Sequence, residues 1–298
     1  MSRRLRLGVD LGGTKVEGVV VRGVEPGLEV VERLRVPTER DRGYDRVLAR
    51  VLEVVARLDR IAGERLPVGI GMPGSVTRAG AIKNSNTTCL NGTFFRRDLA
   101  ERLGRPTRFA NDANCFALAE ARLGAGRGRS LVFGVILGTG VGGGLVIDGA
   151  AREGPQSICG EWGHMVLCPE SERRCYCGQR GCVETLLAGP WVEADYRDRG
   201  GEALALPAIL ERRAAGEARA AACVDAWLDD FGRAIANLIN VLDPDAIVLG
   251  GGVSRAECLY DEGRERVAAR VFTDALETPI LRHELGDSAG VLGAAMLF

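Results

Sequence analysis

Leu5-Arg6-Leu7-Gly8-Val9-Asp10-Leu11-Gly12-Gly13-Thr14-Lys15-Val16-Glu17-Gly18-Val19-Val20-Val21 joins a short apolar run, a glycine-rich tip and a second run rich in β-branched residues. Leu5 to Asp10 has the pattern of a buried strand and Val16 to Val21 that of its return, so the segment reads as a hairpin. A third strand near Leu28 to Val36, a helix from Tyr44 to Ile61 and a strand from Val68 to Met72 follow, the last ending at Pro73-Gly74. The same grammar returns later. Leu131 to Leu137 predicts a strand, Gly138-Thr139-Gly140 a tight turn, and Gly144 to Asp148 the return strand. A helix from Ala218 to Val241 then leads to a strand, Ala246 to Leu249, that runs into Gly250-Gly251-Gly252. Two halves built alike predict two α/β domains facing each other across a cleft. The expected division is 1–118 and 119–288, with an apolar closing helix from Gly290 to Phe298 packing back on the first domain.

A hairpin tip can approach a polyphosphate only where side chains are absent. Gly12-Gly13-Thr14 and Gly138-Thr139-Gly140 both offer bare N–H groups beside a hydroxyl. Asp10, with Lys15 close behind, is suited to a magnesium ion bridging the phosphates of ATP. Each loop alone also reads as an ordinary glycine turn; the pairing in two halves is what points to nucleotide. Gly250, Gly251 and Gly252, after a strand, offer backbone for an adenosine. The pattern G-x-x-x-x-G-K-[ST] does not occur, so the cradle is not of the Walker type.

The composition narrows the partners. Lys and Arg number 39 against 40 Asp and Glu, a formal charge of −1, so no nucleic acid is expected. Met1-Ser2-Arg3-Arg4-Leu5-Arg6 is basic, but Asp10 interrupts the apolar run behind it and no later stretch has the length of a membrane span; a cytosolic protein with no membrane partner is expected. The cysteines number 9, an odd count. Cys175, Cys177 and Cys182, beginning eleven residues after His164, supply three thiolates and an imidazole, the tetrahedral set of a structural zinc ion. Free thiols on a surface loop are the competing reading, and Cys168 is a substitute ligand. Cys89, Cys115, Cys159, Cys223 and Cys258 read as small core or half-buried residues, and His283 as structural.

Asp10-Leu11-Gly12-Gly13-Thr14-Lys15, Gly71-Met72-Pro73-Gly74, Asn111-Asp112-Ala113-Asn114, Leu137-Gly138-Thr139-Gly140-Val141-Gly142-Gly143-Gly144 and Gly160-Glu161-Trp162-Gly163-His164, with the cysteine cluster, resemble the ROK family of repressors, open reading frames and sugar kinases. That family lies within the actin, hexokinase and heat-shock-chaperone ATPase superfamily. The resemblance implies two ribonuclease-H-like domains of βββαβαβα type about a nucleotide and sugar cleft. It implies ATP, Mg²⁺ and a hexose as ligands; kinases of the family commonly form dimers, so a homodimer is one option and the oligomeric state stays open. By the same resemblance Asp112 is the catalytic base and Asn111 binds a sugar hydroxyl, with Gly74, Glu161, His164 and Glu184 also at the sugar. Phosphoryl transfer needs positioning, charge neutralisation and one acceptor for the nucleophile's proton, so a carboxylate beside a sugar pocket suits that role independently. Asn111 or Asp112 also reads as the N-cap of a helix from Ala113 to Leu123, and Glu184 as a solvated helix residue. A zinc ion on His164 would leave the other ring nitrogen facing the sugar.

Lys83-Asn84-Ser85-Asn86-Thr87-Thr88-Cys89-Leu90-Asn91-Gly92 is the expected sugar-facing loop, with Asn86 its first contact. Its form resembles fructokinases and mannokinases, whereas Asn114-Cys115-Phe116-Ala117-Leu118 and Gly142 to Gly144 resemble N-acetylglucosamine kinases equally; fructose or mannose is the preferred expectation, with N-acetylglucosamine or glucose next. A sugar-sensing transcription regulator is the alternative of another class. It is disfavoured because the first strand begins by Leu5, before any DNA-binding helices. A chaperone-like or filament-forming ATPase is disfavoured by the sugar set Asn111, Glu161, His164 and Glu184.

Overall fold

The structure, a computed structural model, describes residues 5–298 apart from residue 26. The basic residues Met1 to Arg4 lie outside the described residues. In chain order the first elements are β1 (Leu5–Leu11), β2 (Lys15–Arg22), β3 (Glu29–Pro37), α1 (Tyr44–Ala62), β4 (Val68–Met72), β5 (Ser75–Val76), β6 (Ile82–Lys83), α2 (Phe95–Leu103), β7 (Thr107–Asn111) and α3 (Asp112–Arg122). There follow β8 (Leu131–Leu137), β9 (Val141–Ile147), β10 (Ala150–Ala151), α4 (Glu184–Leu187), α5 (Gly189–Asp198), α6 (Leu206–Ala214) and α7 (Ala218–Leu242). The chain ends with β11 (Ala246–Gly250), α8 (Glu262–Ala268), β12 (Ile280–Arg282) and α9 (Ala289–Ala295). The large sheets have the orders β3-β2-β1-β4-β7 and β10-β9-β8-β11-β12, and a small hairpin pairs β5 with β6. This is the mixed α/β fold that the two-hairpin grammar predicts. No helix among the described residues is long and apolar enough to cross a membrane.

Two compact units emerge. The first holds the described residues through Gly128 together with Gly144–Cys159 and Glu284–Phe298; the second holds Arg129–Gly143 and Gly160–His283. Residues 144–159, which a reading in chain order assigns to the second half, thus count with the first unit. Its core lies between the first sheet and α1, whose Val47, Val51, Val54, Val55 and Leu58 recur at helical spacing and are buried. α1 comes so close to β2 that a Cβ on Gly18 would stand 2.4 Å from Val54 Cγ1. Gly63, in the left-handed conformation, stops the helix.

The closing helix, shorter than the apolar run suggests, lies against β1, β4 and α3 of the same unit. Bare backbone makes that contact. A Cβ on Gly69 would lie 1.8 Å from Ala294 O, and one on Gly293 1.8 Å from Cys115 O. Glu120 of α3, fully buried, faces the chain entering α9, and its carboxylate accepts N–H bonds from Ala125, Glu284 and Leu285.

The return strand of the second hairpin starts at Val141, three residues earlier than Gly144. Gly142 to Gly144 reads as loop because it lacks side chains, yet those side chains are absent because neighbours press in. A Cβ on Gly143 would meet Trp162 Cδ1 at 2.7 Å, and one on Gly144 would meet Ala113 O at 2.7 Å. Asp148, expected at the end of this strand, instead has φ 48° and forms the turn that follows.

Candidate active site

In the first unit β1 delivers Asp10 opposite Gly71 of the parallel β4 and Glu17 of the antiparallel β2. Its carboxylate faces bare backbone: a Cβ on Gly290 would lie 3.1 Å from Oδ2, and one on Gly71 3.6 Å from Oδ1. Burial, then the charges of Asp112 and Glu17, push the Asp10 carboxyl up to about 7, and Lys15 offsets only part of this. Lys15 is committed elsewhere. Its ammonium bonds the buried Glu17 at 3.0 Å, where Arg35 also binds at 2.9 Å, so it is not a free cation at the glycine tip.

The tip itself is pinned by backbone and by one hydroxyl. Gly12 donates to Lys15 O at 2.9 Å, Thr38 N donates to Thr14 O at 3.0 Å, and the buried Thr38 hydroxyl donates to Gly12 O at 2.7 Å. At Gly13 a Cβ would stand 2.9 Å from Arg40 Nη1 and 3.8 Å from Asn86 Oδ1. The exposed Asn86 of the expected sugar loop therefore lies beside the first glycine tip.

Asn111 ends β7 opposite Met72, and Asp112 begins α3. The cap is Asn111: its Oδ1 accepts from Ala113 N at 2.8 Å, while its Nδ2 donates to Gly74 O at 3.1 Å. Gly74 has φ 85° and no room for a side chain, since a Cβ would fall 2.6 Å from Lys83 O. Asn111 thus fastens the turn at Gly74 to the helix that starts with Asp112. Asp112 Oδ1 also accepts from Ala113 N, at 2.9 Å, yet burial outweighs that bond and raises its carboxyl above the ordinary range. Cys115, one turn on, is fully buried, and burial with both carboxylates drives its thiol well above the usual value, which leaves it inert.

In the second unit Gly138 donates to Gly140 O at 2.9 Å and its own carbonyl accepts from Gly189 N at 2.9 Å, closing a tip on which Thr139 is exposed. Glu184 is no solvated residue. Its Oε2 accepts from Val141 N at 3.0 Å, and a Cβ on Gly140 would stand 2.7 Å from the same oxygen. Beside the tip opens a cavity of about 560 Å³ whose lining includes Gly138, Thr139, Gly189, Leu206, Leu210, Gly252 and Val253, with Glu193 and Arg255. Of the triple glycine only Gly252 lines it. Gly251, at φ 84°, serves the turn, because a Cβ there would fall 2.3 Å from Leu137 O, and Gly250 completes β11. The walls from α5, α6 and Val253 escape the sequence reading; Gly189-Pro190 and Leu206-Pro207 are visible only as helix openings.

His164, Cys175, Cys177 and Cys182 each present one donor atom, all within 4.8 Å of one another. Cys175 Sγ lies 3.5 Å from His164 Nδ1 and Cys177 Sγ 3.6 Å from Cys182 Sγ. Zn–S bonds of about 2.3 Å in a tetrahedron require donors roughly 3.7 Å apart, so three thiols and one imidazole fit a zinc ion. Cys168 stands outside the set, with its thiol 3.3 Å from Glu170. The other ring nitrogen of His164, expected to face sugar, meets the Tyr176 hydroxyl at 3.0 Å, with Glu161 at 4.0 Å. Cys175 Sγ is also 3.8 Å from Glu184 Oε1, which joins the cluster to the second glycine tip through one carboxylate.

The ROK family model matches residues 6–298. Over 97% of its length the chain is 38% identical to an N-acetyl-D-glucosamine kinase of Photobacterium profundum, 98% of which is covered. A crystal structure of a ROK hexokinase from Thermus thermophilus superposes with a TM-score of 0.85 at 33% identity, covering 98% of this chain and 97% of that one. A ROK family glucokinase from Streptomyces griseus, in complex with glucose and AMPPNP, does so with a TM-score of 0.77 at 28% identity, covering 99% of each chain. A fold with paired glycine tips, a carboxylate beside the first of them and near full-length similarity to named sugar kinases leave one reading: the chain belongs to the ROK family and is a sugar kinase.

Proposed function

We propose that the chain transfers the γ-phosphoryl group of ATP to N-acetylglucosamine. The observation that carries the choice of sugar is the 38% identity, over 97% of this chain, to an N-acetyl-D-glucosamine kinase. It displaces the fructose or mannose preferred from the form of the Lys83 to Gly92 loop. Glucose is the second reading, favoured by similarity to a glucokinase structure that holds glucose.

In this reading Asp112 takes the proton of the attacking sugar hydroxyl as the new O–P bond forms and the bond from the γ-phosphorus to the β–γ bridging oxygen breaks, with ADP as the leaving group. A half-buried carboxylate with raised proton affinity is better matched to that transfer than a solvated one. Asn111 keeps Asp112 at the helix start, and Gly74 and Asn86 border the sugar. Glu161, His164 and Glu184 complete the polar rim for its hydroxyls. Gly13 and Thr14 on one tip and Thr139 and Gly140 on the other present N–H and hydroxyl donors to phosphate oxygens, with Gly12 and Gly138, whose own N–H groups close the tips, giving side-chain-free backbone beside them; the cavity at Gly252 has the apolar walls and size for an adenosine. Asp10, half-buried near a second carboxylate and without an ion pair among the described residues, has the electrostatics of a cation site and would hold Mg²⁺. Magnesium, when bound, neutralises charge on the phosphates. Zinc on His164, Cys175, Cys177 and Cys182 would be structural, with coordination closed by protein donors.

Three measurements test this reading. In a coupled assay with Mg-ATP, kcat/KM for N-acetylglucosamine exceeds that for fructose and mannose at least about tenfold; the reverse order overturns the assignment of the sugar. Asp112→Asn lowers kcat by about 10²–10⁴-fold while calorimetry still finds sugar and nucleotide bound, and undiminished turnover removes Asp112 from its role. Purified protein contains about one zinc per chain, and its removal by a chelator lowers Tm. Zinc-free protein that melts at the same temperature contradicts the metal assignment.

A further inference from the structure

We propose that Arg40 is an anion-binding residue of the phosphoryl-transfer site, an inference that rests on the kinase reading above. Its guanidinium closes the gap between the first glycine tip and the sugar loop. Nη1 lies 2.9 Å from the position a Gly13 Cβ would take, and the same nitrogen donates to Asn86 O at 3.4 Å. A phosphoryl group passing from nucleotide to sugar must cross from a phosphate-binding tip to a sugar-binding loop. Arg40 stands where, within this unit, those two elements meet.

The placement is built into the backbone. Thr38 is fastened to the tip at both Gly12 O and Thr14 O. Glu39 follows at φ 53°, a left-handed conformation uncommon for a residue with a side chain. Its carboxylate accepts from Arg46 Nε and Arg50 Nε, each at 2.6 Å, which holds that conformation in place. The turn directs the next side chain across Gly13, where the missing Cβ leaves it room. Charge distribution completes the argument. Arg46 and Arg50 are engaged by Glu39, and Lys15 by Glu17. Arg40's one ion pair among the described residues, to Asp41, is 4.0 Å long, so its charge is not neutralised at close range. A planar guanidinium with donors to spare beside bare backbone N–H groups is suited to phosphate oxygens.

The test compares Arg40→Met and Arg40→Lys with the parent chain. Calorimetric titration uses two probes: the sugar that the parent enzyme turns over best and the sugar phosphate it makes. Arg40→Met is expected to weaken sugar-phosphate binding about tenfold, leave free-sugar binding within about twofold, and lower kcat more than it raises KM for the sugar. Arg40→Lys recovers part of both losses. Equal sugar-phosphate affinity in parent and Arg40→Met overturns the proposal. So does parallel weakening of sugar and sugar phosphate with a lowered Tm, the mark of a structural role. Because the sugar is chosen by the parent's own turnover, a wrong choice of hexose above leaves this comparison intact, whereas a parent without kinase activity refutes the underlying reading itself.

Discussion

Two half-buried carboxylates, Asp10 near the end of β1 and Asp112 at the start of α3, set the terms for the rest of the first unit. Burial works against charging either one, and each raises the proton affinity of its surroundings. The enclosure depends on glycine. Gly71 and Gly290 form the wall against Asp10, and Gly8, Gly69 and Gly293 let α9 seat against the sheet and α3. Such an arrangement is costly in an empty protein and becomes favourable when a cation arrives or a proton must be accepted, which is the electrostatic requirement of phosphoryl transfer.

The second unit reaches the same end by other means. Its sheet order β10-β9-β8-β11-β12 follows the pattern of β3-β2-β1-β4-β7, with a glycine tip at the same place in each. Thr38 pins the first tip through its hydroxyl, and Glu184 pins the second by accepting from Val141 N. Because Glu184 also borders Cys175, the metal-type cluster and the second tip share a support. A zinc ion there would thus steady the second glycine tip as well as the segment that carries His164.

The parts legible in the sequence are those where one local rule governs. Val68–Met72 and Leu131–Leu137 are continuous apolar runs, and they form strands with those bounds. Tyr44–Ala62 shows its helix through the period of its valines and leucines. Cys175, Cys177 and Cys182 betray a cluster by spacing, with His164 the expected fourth donor, and the structure gathers those four and leaves Cys168 outside. The cavity in the second unit is invisible in sequence because α5, α6 and the turn after β11 supply its walls from distant parts of the chain. Arg40 hides for a different reason. Within Glu39-Arg40-Asp41-Arg42 it looks like one charge of a solvated loop, and only the left-handed Glu39 and the bare Gly13 give it a direction.

The stability of the ligand-free protein as a function of pH, compared with that of Asp10→Asn, tests the account of the half-buried carboxylates most directly. A carboxyl raised from 3.8 to about 7 stays protonated in the folded chain while the unfolded chain ionises, so stability is lost as pH rises between those values and levels off above them. The amide has no such loss. The two proteins should match in stability near pH 4 and diverge until Asp10→Asn is the more stable by on the order of 4 kcal/mol at pH 8. Curves that stay parallel across this range would show that Asp10 ionises as an ordinary carboxylate, and would contradict the account.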